Sequence, residues 1–233
     1  MDIRPYDVRR DQLEEYFDRT AVEAWASLTS DAPVSRIRAT VRAGRERMRS
    51  LLLDYLPDDL TGQRVLDAGC GTGALAVEAA HRGAHVVAVD ISPTLIRLAE
   101  ERMVLEPGVG GVEFRVSDMR DAALGRFDWV VAMDSFIHYP AGDMVDLVAA
   151  LAARASRGLA FTFAPSSAVL TMMHSIGRIF PRHSRAPDIV PISEGRLRRR
   201  LAEHPELGAF TAGRSERVKS GFYTSQTMEL VRA

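Results

Sequence analysis

Along the first quarter of the chain, apolar and polar positions follow a helical period. In DQLEEYFDRTAVEAWASL (residues 11–28) and SRIRATVRAGRERMRSLLLDYL (residues 35–56), apolar or aromatic side chains recur at spacings of three and four, which predicts two helices. A turn follows over residues 58–62, and the period then shortens. RVLDA, HVVAVD, VEFRVS, FDWVVAM and RGLAFTFA read as strands, mostly apolar on both sides, as expected where both sheet faces are covered. Helical stretches separate them: GALAVEAAHRG with Gly83 as a stop signal, SPTLIRLAEERM with Ser92 as cap and Pro93 at the first helical position, and GDMVDLVAALAARAS. Residues 165–205 break the alternation with an apolar helical piece (AVLTMMHSIGRIF), a proline-rich loop (PRHSRAPDIVPIS) and a basic helix (EGRLRRRLAEH). The end, FTAGRSERVKSGFYTSQTMELV, reads as two strands turning at Ser220 and Gly221. These elements predict a doubly wound, seven-stranded, Rossmann-like α/β sheet, with residues 1–58 as a helical cap or lid and residues 59–233 as the core.

Composition narrows this picture. With 233 residues and 46% apolar content, the chain can bury one substantial core. A formal net charge of −1 argues against any global field toward nucleic acid or an anionic membrane. A single cysteine, Cys70, excludes an internal disulfide and a cysteine-built metal site, which fits a reducing compartment. The charged N-terminus and the lack of any run of 18 apolar residues lead us to expect a cytoplasmic protein without a signal peptide or membrane span. His81, His85, His174 and His204 show no metal-ligand spacing, so no protein-bound metal is expected.

The chemistry is concentrated in VLDAGCGTGALAVEAA, residues 65–80. Gly69, Gly71 and Gly73 follow a strand and open a helix, so backbone N–H groups can approach a ligand closely. Asp67 decides which ligand. A carboxylate two residues before the first glycine would repel a nucleotide pyrophosphate by about 4 kcal/mol at a separation of roughly 4 Å and an effective dielectric of ~20. The same carboxylate favours a ligand carrying an ammonium and a sulfonium, and S-adenosylmethionine carries both. Asp90, seventeen residues beyond Gly73 and followed by Ile91, ends the second strand where an acid can accept from both ribose hydroxyls. Asp118, ending the third strand, could accept from an adenine amino group while Met119 packs on the ring. The alternative for any one such acid is a local cap; their register at successive strand ends favours a ligand site. Cys70 reads as a small residue in a tight turn, since no partner base is visible.

VLDAGCGTG, VVAVDIS and VSDM resemble the class I S-adenosylmethionine-dependent methyltransferases over residues 60–165, a likeness specific for the donor and silent on the acceptor. A narrower likeness spans nearly the whole chain. Residues 15–57, DLTGQRVLDAGCGTG, VVAMDSFIHYP, FAPSSAVLTMMHSIGRIFPR and the terminal SGFY are similar to the magnesium-protoporphyrin IX O-methyltransferases of bacteriochlorophyll synthesis, above all those of purple bacteria. That resemblance implies methyl transfer to a propionate carboxylate of the magnesium porphyrin, giving the monomethyl ester. It also implies handover of substrate from the porphyrin-binding subunit of magnesium chelatase, and residence at or near the photosynthetic membrane. One departure stands out: relatives from oxygenic phototrophs carry a tyrosine shortly after the position of Trp25, where this chain reads Ser27, Leu28 and Thr29, so a catalytic tyrosine there does not carry over.

A propionate has a reference pKa of about 4.3, so the nucleophile is already ionised at neutral pH and needs no general base. The site must instead supply in-line approach and exclude water. MDSFIHYP follows the fourth strand, which places Asp134 beside the donor and Ser135, His138 and Tyr139 toward the acceptor. His138 could orient the propionate, could ligate the substrate's magnesium against that ion's preference for oxygen, or could simply be satisfied in the cleft wall. Tyr139 before Pro140 could be a packed turn aromatic. Tyr16, Phe17 and Trp25 are either packing residues or the aromatic face of a mobile lid. Arg178 and Arg182, with His183 and Arg185, suit either a wall for an apolar macrocycle with a partner for its second carboxylate, or an amphipathic patch on lipid. GRLRRRL reads as a solvated helix face. Two other functions remain open: methylation of another small acceptor such as a quinone, amine or acid, and a catalytically silent cofactor-binding partner in a pigment-synthesis complex.

Overall fold

The computed structural model describes residues 5–20, 36–105, 110–166 and 189–233. In chain order these form α1 (Pro5–Glu15), which runs on into a π-helical turn (Tyr16–Thr20), α2 (Arg36–Leu53), β1 (Arg64–Ala68), α3 (Ala74–His81), β2 (His85–Asp90), α4 (Pro93–Arg102) and β3 (Gly111–Val116). The second half adds β4 (Phe127–Ala132), α5 (Ala141–Ala152), β5 (Ala155–Phe163), α6 (Glu194–Glu203), β6 (Phe210–Ala212), β7 (Arg217–Ser220) and β8 (Tyr223–Arg232). Residues 168–180, where a further helix is predicted, lie outside the described residues, as does most of the proline-rich loop after it.

Among the described residues the strands form one eight-stranded sheet in the order β3-β2-β1-β4-β5-β8-β6, with β7 also on β8. β1 to β5 pair in parallel, and β8 is antiparallel to its neighbours. Alternation along the parallel strands explains why their sequences are mostly apolar. Val65, Ala88, Val131 and Ala160 face one hydrophobic cluster, with α2 and α3. Leu66, Val87, Val89, Val130, Leu159 and Phe161 face the other, with α5 and α6. The strand order reverses between β1 and β4, so the carboxyl ends of β1, β2 and β4 frame a crevice.

α2 belongs to this core: Met48, Leu52 and Leu53 are fully buried, and Gly44 lets the helix close on the β7–β8 hairpin, since a Cβ there would fall 2.6 Å from the Tyr223 ring. Ser92 accepts from the Leu95 amide and Pro93 opens α4, as its sequence predicts.

The sheet has eight strands where the sequence predicts seven. The stretch predicted as one strand before Gly221 is split into β6 and β7 by residues 213–216. Arg214 turns out of register there, because its amide and its guanidinium both reach Glu229 on β8, the latter at 2.7 Å and 3.0 Å. Burial alone would raise the Glu229 carboxyl, but the N–H groups of Arg214 outweigh it and hold the group below its ordinary value. A depressed carboxyl stabilises the fold above its unfolded pKa, and that contribution is lost as the pH falls through the folded value. We predict that Glu229→Gln lowers the unfolding free energy by about 1–3 kcal/mol at neutral pH, measured by urea denaturation. The gap between variant and wild type should narrow on acidification below the ordinary glutamate range.

Candidate functional site

A cavity of about 270 Å³ opens where β1, β2 and β4 end. The loop after β1 shapes its floor. Gly69 and Gly73 both adopt left-handed φ, +81° and +78°. A Cβ on Gly69 would lie 2.5 Å from the Ser135 Cβ, and one on Gly73 would lie 2.7 Å from the Phe114 ring, so backbone and neighbouring loops meet here only because these residues lack side chains. The amides of Gly69 and Cys70 both donate to the Val89 carbonyl at 2.9 Å, which ties the loop to β2.

Two carboxylates sit in this floor. Asp90 is oriented by its surroundings: Oδ2 accepts from the Gly71 amide at 2.9 Å and Oδ1 from the Ser92 amide at 3.0 Å. Burial raises its pKa, opposed by those amides and that of Ile91. Asp67, 1% exposed, is less well satisfied. Its Oδ2 has no hydrogen-bond partner among the described residues. Burial first, then the Asp90 charge, push its carboxyl from 3.8 up to about 7, with only the Ala76 amide opposing. A floor of this kind accepts a cation with several N–H or O–H donors and rejects an anion.

The opposite wall is cationic. Arg42, Arg45 and Arg49, at helical spacing on one face of α2, line the same cavity. Arg45 donates to Asp134 Oδ2 at 2.6 Å, and Arg49 pairs with Glu78. These arginines are absent from the sequence-based site. Their signal was the spacing in RATVRAGRERMR, but which face of α2 meets the cleft is set by its packing on β7 and β8. Glu46 lines the cavity from the same helix, so the cavity is acidic at the strand ends and predominantly basic along α2.

Among the predicted residues, Asp67, Gly69, Gly71, Asp90, Ile91, Met119, Asp134, Ser135, His138, Tyr139 and Phe17 all line the cavity. Gly73 acts through the backbone, as the N-cap of α3. Asp118 faces elsewhere than predicted: Oδ1 accepts from the Tyr6 hydroxyl at 2.9 Å and the Arg120 amide at 2.8 Å, and Oδ2 from Arg10 at 3.2 Å. Its carboxylate anchors α1, and Met119 beside it forms the wall. Asp134 is likewise committed. It adopts φ +55°, its amide donates to Thr162 Oγ1 at 2.7 Å, and its carboxylate accepts from Arg45, Tyr223 and Ser225. A non-glycine residue in that conformation persists because so many contacts fix it.

The acceptor-side loop is packed by α1. Tyr139 stacks on Tyr6 at 5.3 Å, Phe17 meets the His138 ring edge-on at 5.7 Å, and Arg9 donates to the His138 carbonyl at 2.8 Å. Asp18, in the π turn, accepts from Ser92 Oγ and the Thr94 amide, fastening this segment to the start of α4. Tyr16 stands behind Phe17 and does not line the cavity formed by the described residues. Trp25, Arg178 and Arg182 lie outside the described residues. Ser135 is anchored by donating to the Ala68 carbonyl at 2.9 Å. Among the described residues no cluster of metal-ligating side chains occurs.

Sheet order, glycine loop and paired strand-end acids define a Rossmann-like methyltransferase, and a methyltransferase domain model matches residues 65–158. A second model, the magnesium-protoporphyrin IX methyltransferase C-terminus, matches residues 132–232. The chain is 48% identical to the magnesium-protoporphyrin O-methyltransferase of Rhodobacter capsulatus over 221 residues, covering 94% of this chain and 95% of the relative. Its structure is similar to crystal structures of the magnesium protoporphyrin IX methyltransferase from Synechocystis. The form with bound SAH gives a TM-score of 0.83 at 29% identity, covering 96% of this chain and 99% of that one. The form with bound SAM gives 0.76 at 26% identity, covering 97% of each. The chain belongs to the magnesium-protoporphyrin O-methyltransferase family.

The raised Asp67 carboxyl has a consequence for stability. The folded protein holds this proton more tightly than the unfolded chain, so its contribution is full below the ordinary value of 3.8 and is lost as the pH rises through about 7. We predict that ligand-free Asp67→Asn unfolds at a higher temperature than wild type at pH ~8 and that the gap shrinks at pH ~5, in thermal scans.

Proposed function

We propose that this chain transfers the methyl group of S-adenosylmethionine to a propionate carboxylate of magnesium protoporphyrin IX, releasing the monomethyl ester and S-adenosylhomocysteine. The observation that carries the reading is the buried Asp67, whose unpaired Oδ2 shares a floor with Asp90, facing a wall of arginines. The donor contributes an electrophilic methyl on a sulfonium. Against it, Asp67 offers an acceptor for the ammonium, and Asp90, already oriented by two amides, offers acceptors for the ribose hydroxyls. Met119 and Ile91 supply apolar walls for the base, and Asp118 acts indirectly by holding α1 in place. Arg49 and Arg42 balance the donor's carboxylate from the α2 side.

The chain's contribution to the chemical step is position and dryness. A propionate with a pKa of about 4.3 arrives ionised, so no residue need remove a proton. Stripping water from that carboxylate raises its nucleophilicity, and Phe17 and Tyr139, packed around His138, make that part of the wall apolar. His138 is assigned the orientation of the propionate, Ser135 and Asp134 the shape of the loop that carries it, and Tyr16 and Trp25 a place in the covering segment. Arg178 and Arg182 are assigned to the macrocycle's second carboxylate. An acceptor this large and apolar also favours direct delivery by the porphyrin-binding subunit of magnesium chelatase, and peripheral contact with the photosynthetic membrane. No helix among the described residues is long and apolar enough to cross a membrane.

Incubation with methyl-labelled donor and magnesium protoporphyrin IX tests the reading, with label expected in the porphyrin ester. Label in a quinone or amine, or donor binding without transfer, would replace it with one of the other two functions. Asp90→Ala should weaken donor binding by about 10- to 100-fold in calorimetry, and near-normal affinity would remove the ribose assignment. His138→Ala should lower kcat by about 10- to 100-fold while leaving donor affinity unchanged, and unaltered turnover would make this histidine structural.

A further inference from the structure

The basic helix α6 divides its arginines between two uses. Arg198 is structural: it donates to Glu194 at 2.8 Å and to the carbonyls of Ala212 and Gly213 at 3.1 Å and 2.9 Å, tying α6 to the end of β6. Arg196, Arg199 and Arg200 have no hydrogen-bond or ion-pair partner among the described residues. Their spacing of three and four puts them on one face of the helix, where like charges repel. Arg196 also stands in the first turn, where the helix dipole disfavours a cation. Leu197 and Leu201 already bury the opposite face, so the fold gains nothing from this concentration of charge.

These arginines line a crevice of about 510 Å³ between α5 and α6, separate from the donor cavity. Its other wall is the first two turns of α5, where Gly142 leaves open space: a Cβ there would meet nothing within 4 Å. The nearby acid Asp146 is turned to His204, whose Nε2 lies 3.4 Å away and whose Nδ1 accepts from the Glu206 amide at 3.3 Å. Glu203, the other acid of the lining, pairs with none of the arginines, so three guanidinium groups stand against two carboxylates and the crevice keeps an excess of positive charge.

We infer that the α5–α6 crevice is a docking site for an acidic segment of a partner protein. An open crevice between two helices, with Gly142 and Val145 as its apolar part and arginines at helical spacing along one side, fits acidic side chains carried at matching spacing on a narrow backbone. Glutamates at three- and four-residue spacing on the partner would match the spacing of the arginines. α5 begins directly after the loop that carries His138, so a docked segment lies beside the acceptor side of the donor cavity. The inference does not depend on which acceptor is methylated.

The test is fluorescence anisotropy with a labelled helical peptide carrying glutamates at that spacing, alongside its glutamine counterpart. The glutamate peptide should bind wild type, and Arg196→Glu combined with Arg199→Glu should weaken it by about tenfold or more, with a clear salt dependence. Arg97→Glu combined with Lys219→Glu, an equal change of charge at exposed positions elsewhere, should bind as wild type does. Donor affinity should be unchanged in both variants, which shows that each is folded. Three results would overturn the proposal: equal weakening by both charge reversals, equal binding of the glutamine peptide, or failure of the peptide to bind while phosphatidylglycerol vesicles are held through Arg196 and Arg199. The last would make the crevice a membrane contact.

Discussion

Two carboxylates set side by side in the floor of the cleft, Asp67 buried and Asp90 half-buried, are the constraint around which this molecule is arranged. Asp67 and Asp90 stand at the ends of adjacent parallel strands, and the burial of Asp67 leaves little water to offset the Asp90 charge beside it. Such a pair persists only where rigid backbone over-determines it. Three left-handed glycines, an amide from Gly71 and one from Ser92 supply that rigidity. The result is a site whose empty form is electrostatically unfavourable and whose strongest complement is a cationic nucleoside. Binding energy is thereby stored in the fold before any ligand arrives.

The rest of the site follows from geometry at the strand ends. Because a methyl acceptor that is already ionised asks for no base, the groups around it hold position rather than exchange protons. Asp134 shows the extent of this: every oxygen it offers is used to pin Arg45 and the terminal hairpin, and its backbone conformation is fixed by Thr162. Asp118 is spent in the same way, on Tyr6 and Arg10. Acids near the cleft thus divide into two that form its floor and two that hold its walls.

What the sequence made legible and what it hid follow from the same distinction. Asp67, the glycines and Asp90 were readable because each is placed by its own strand and the turn after it, over a span in which chain order nearly equals spatial order. The strands were readable because parallel strands covered on both faces are apolar at most positions. Arg42, Arg45 and Arg49 were not, because a helix displays its spacing in sequence but not the rotation at which it packs. Asp118 was placed at the right strand end yet faces α1, since its partner Tyr6 lies 112 residues earlier. The split of the predicted sixth strand was hidden because its cause, Glu229, belongs to the partner strand.

The order of the sheet has a consequence for how this protein comes into being. β8 follows β6 and β7 in the chain, yet it lies inside the sheet, with β5 on one side and β6 and β7 on the other. Until β8 is in place, β5 presents an open edge and the Asp134 network lacks Tyr223 and Ser225. Completion of the core, and of the cleft wall built on it, therefore waits for a strand about sixty residues further along the chain, and a chain folded only as far as β5 carries an unpaired apolar edge.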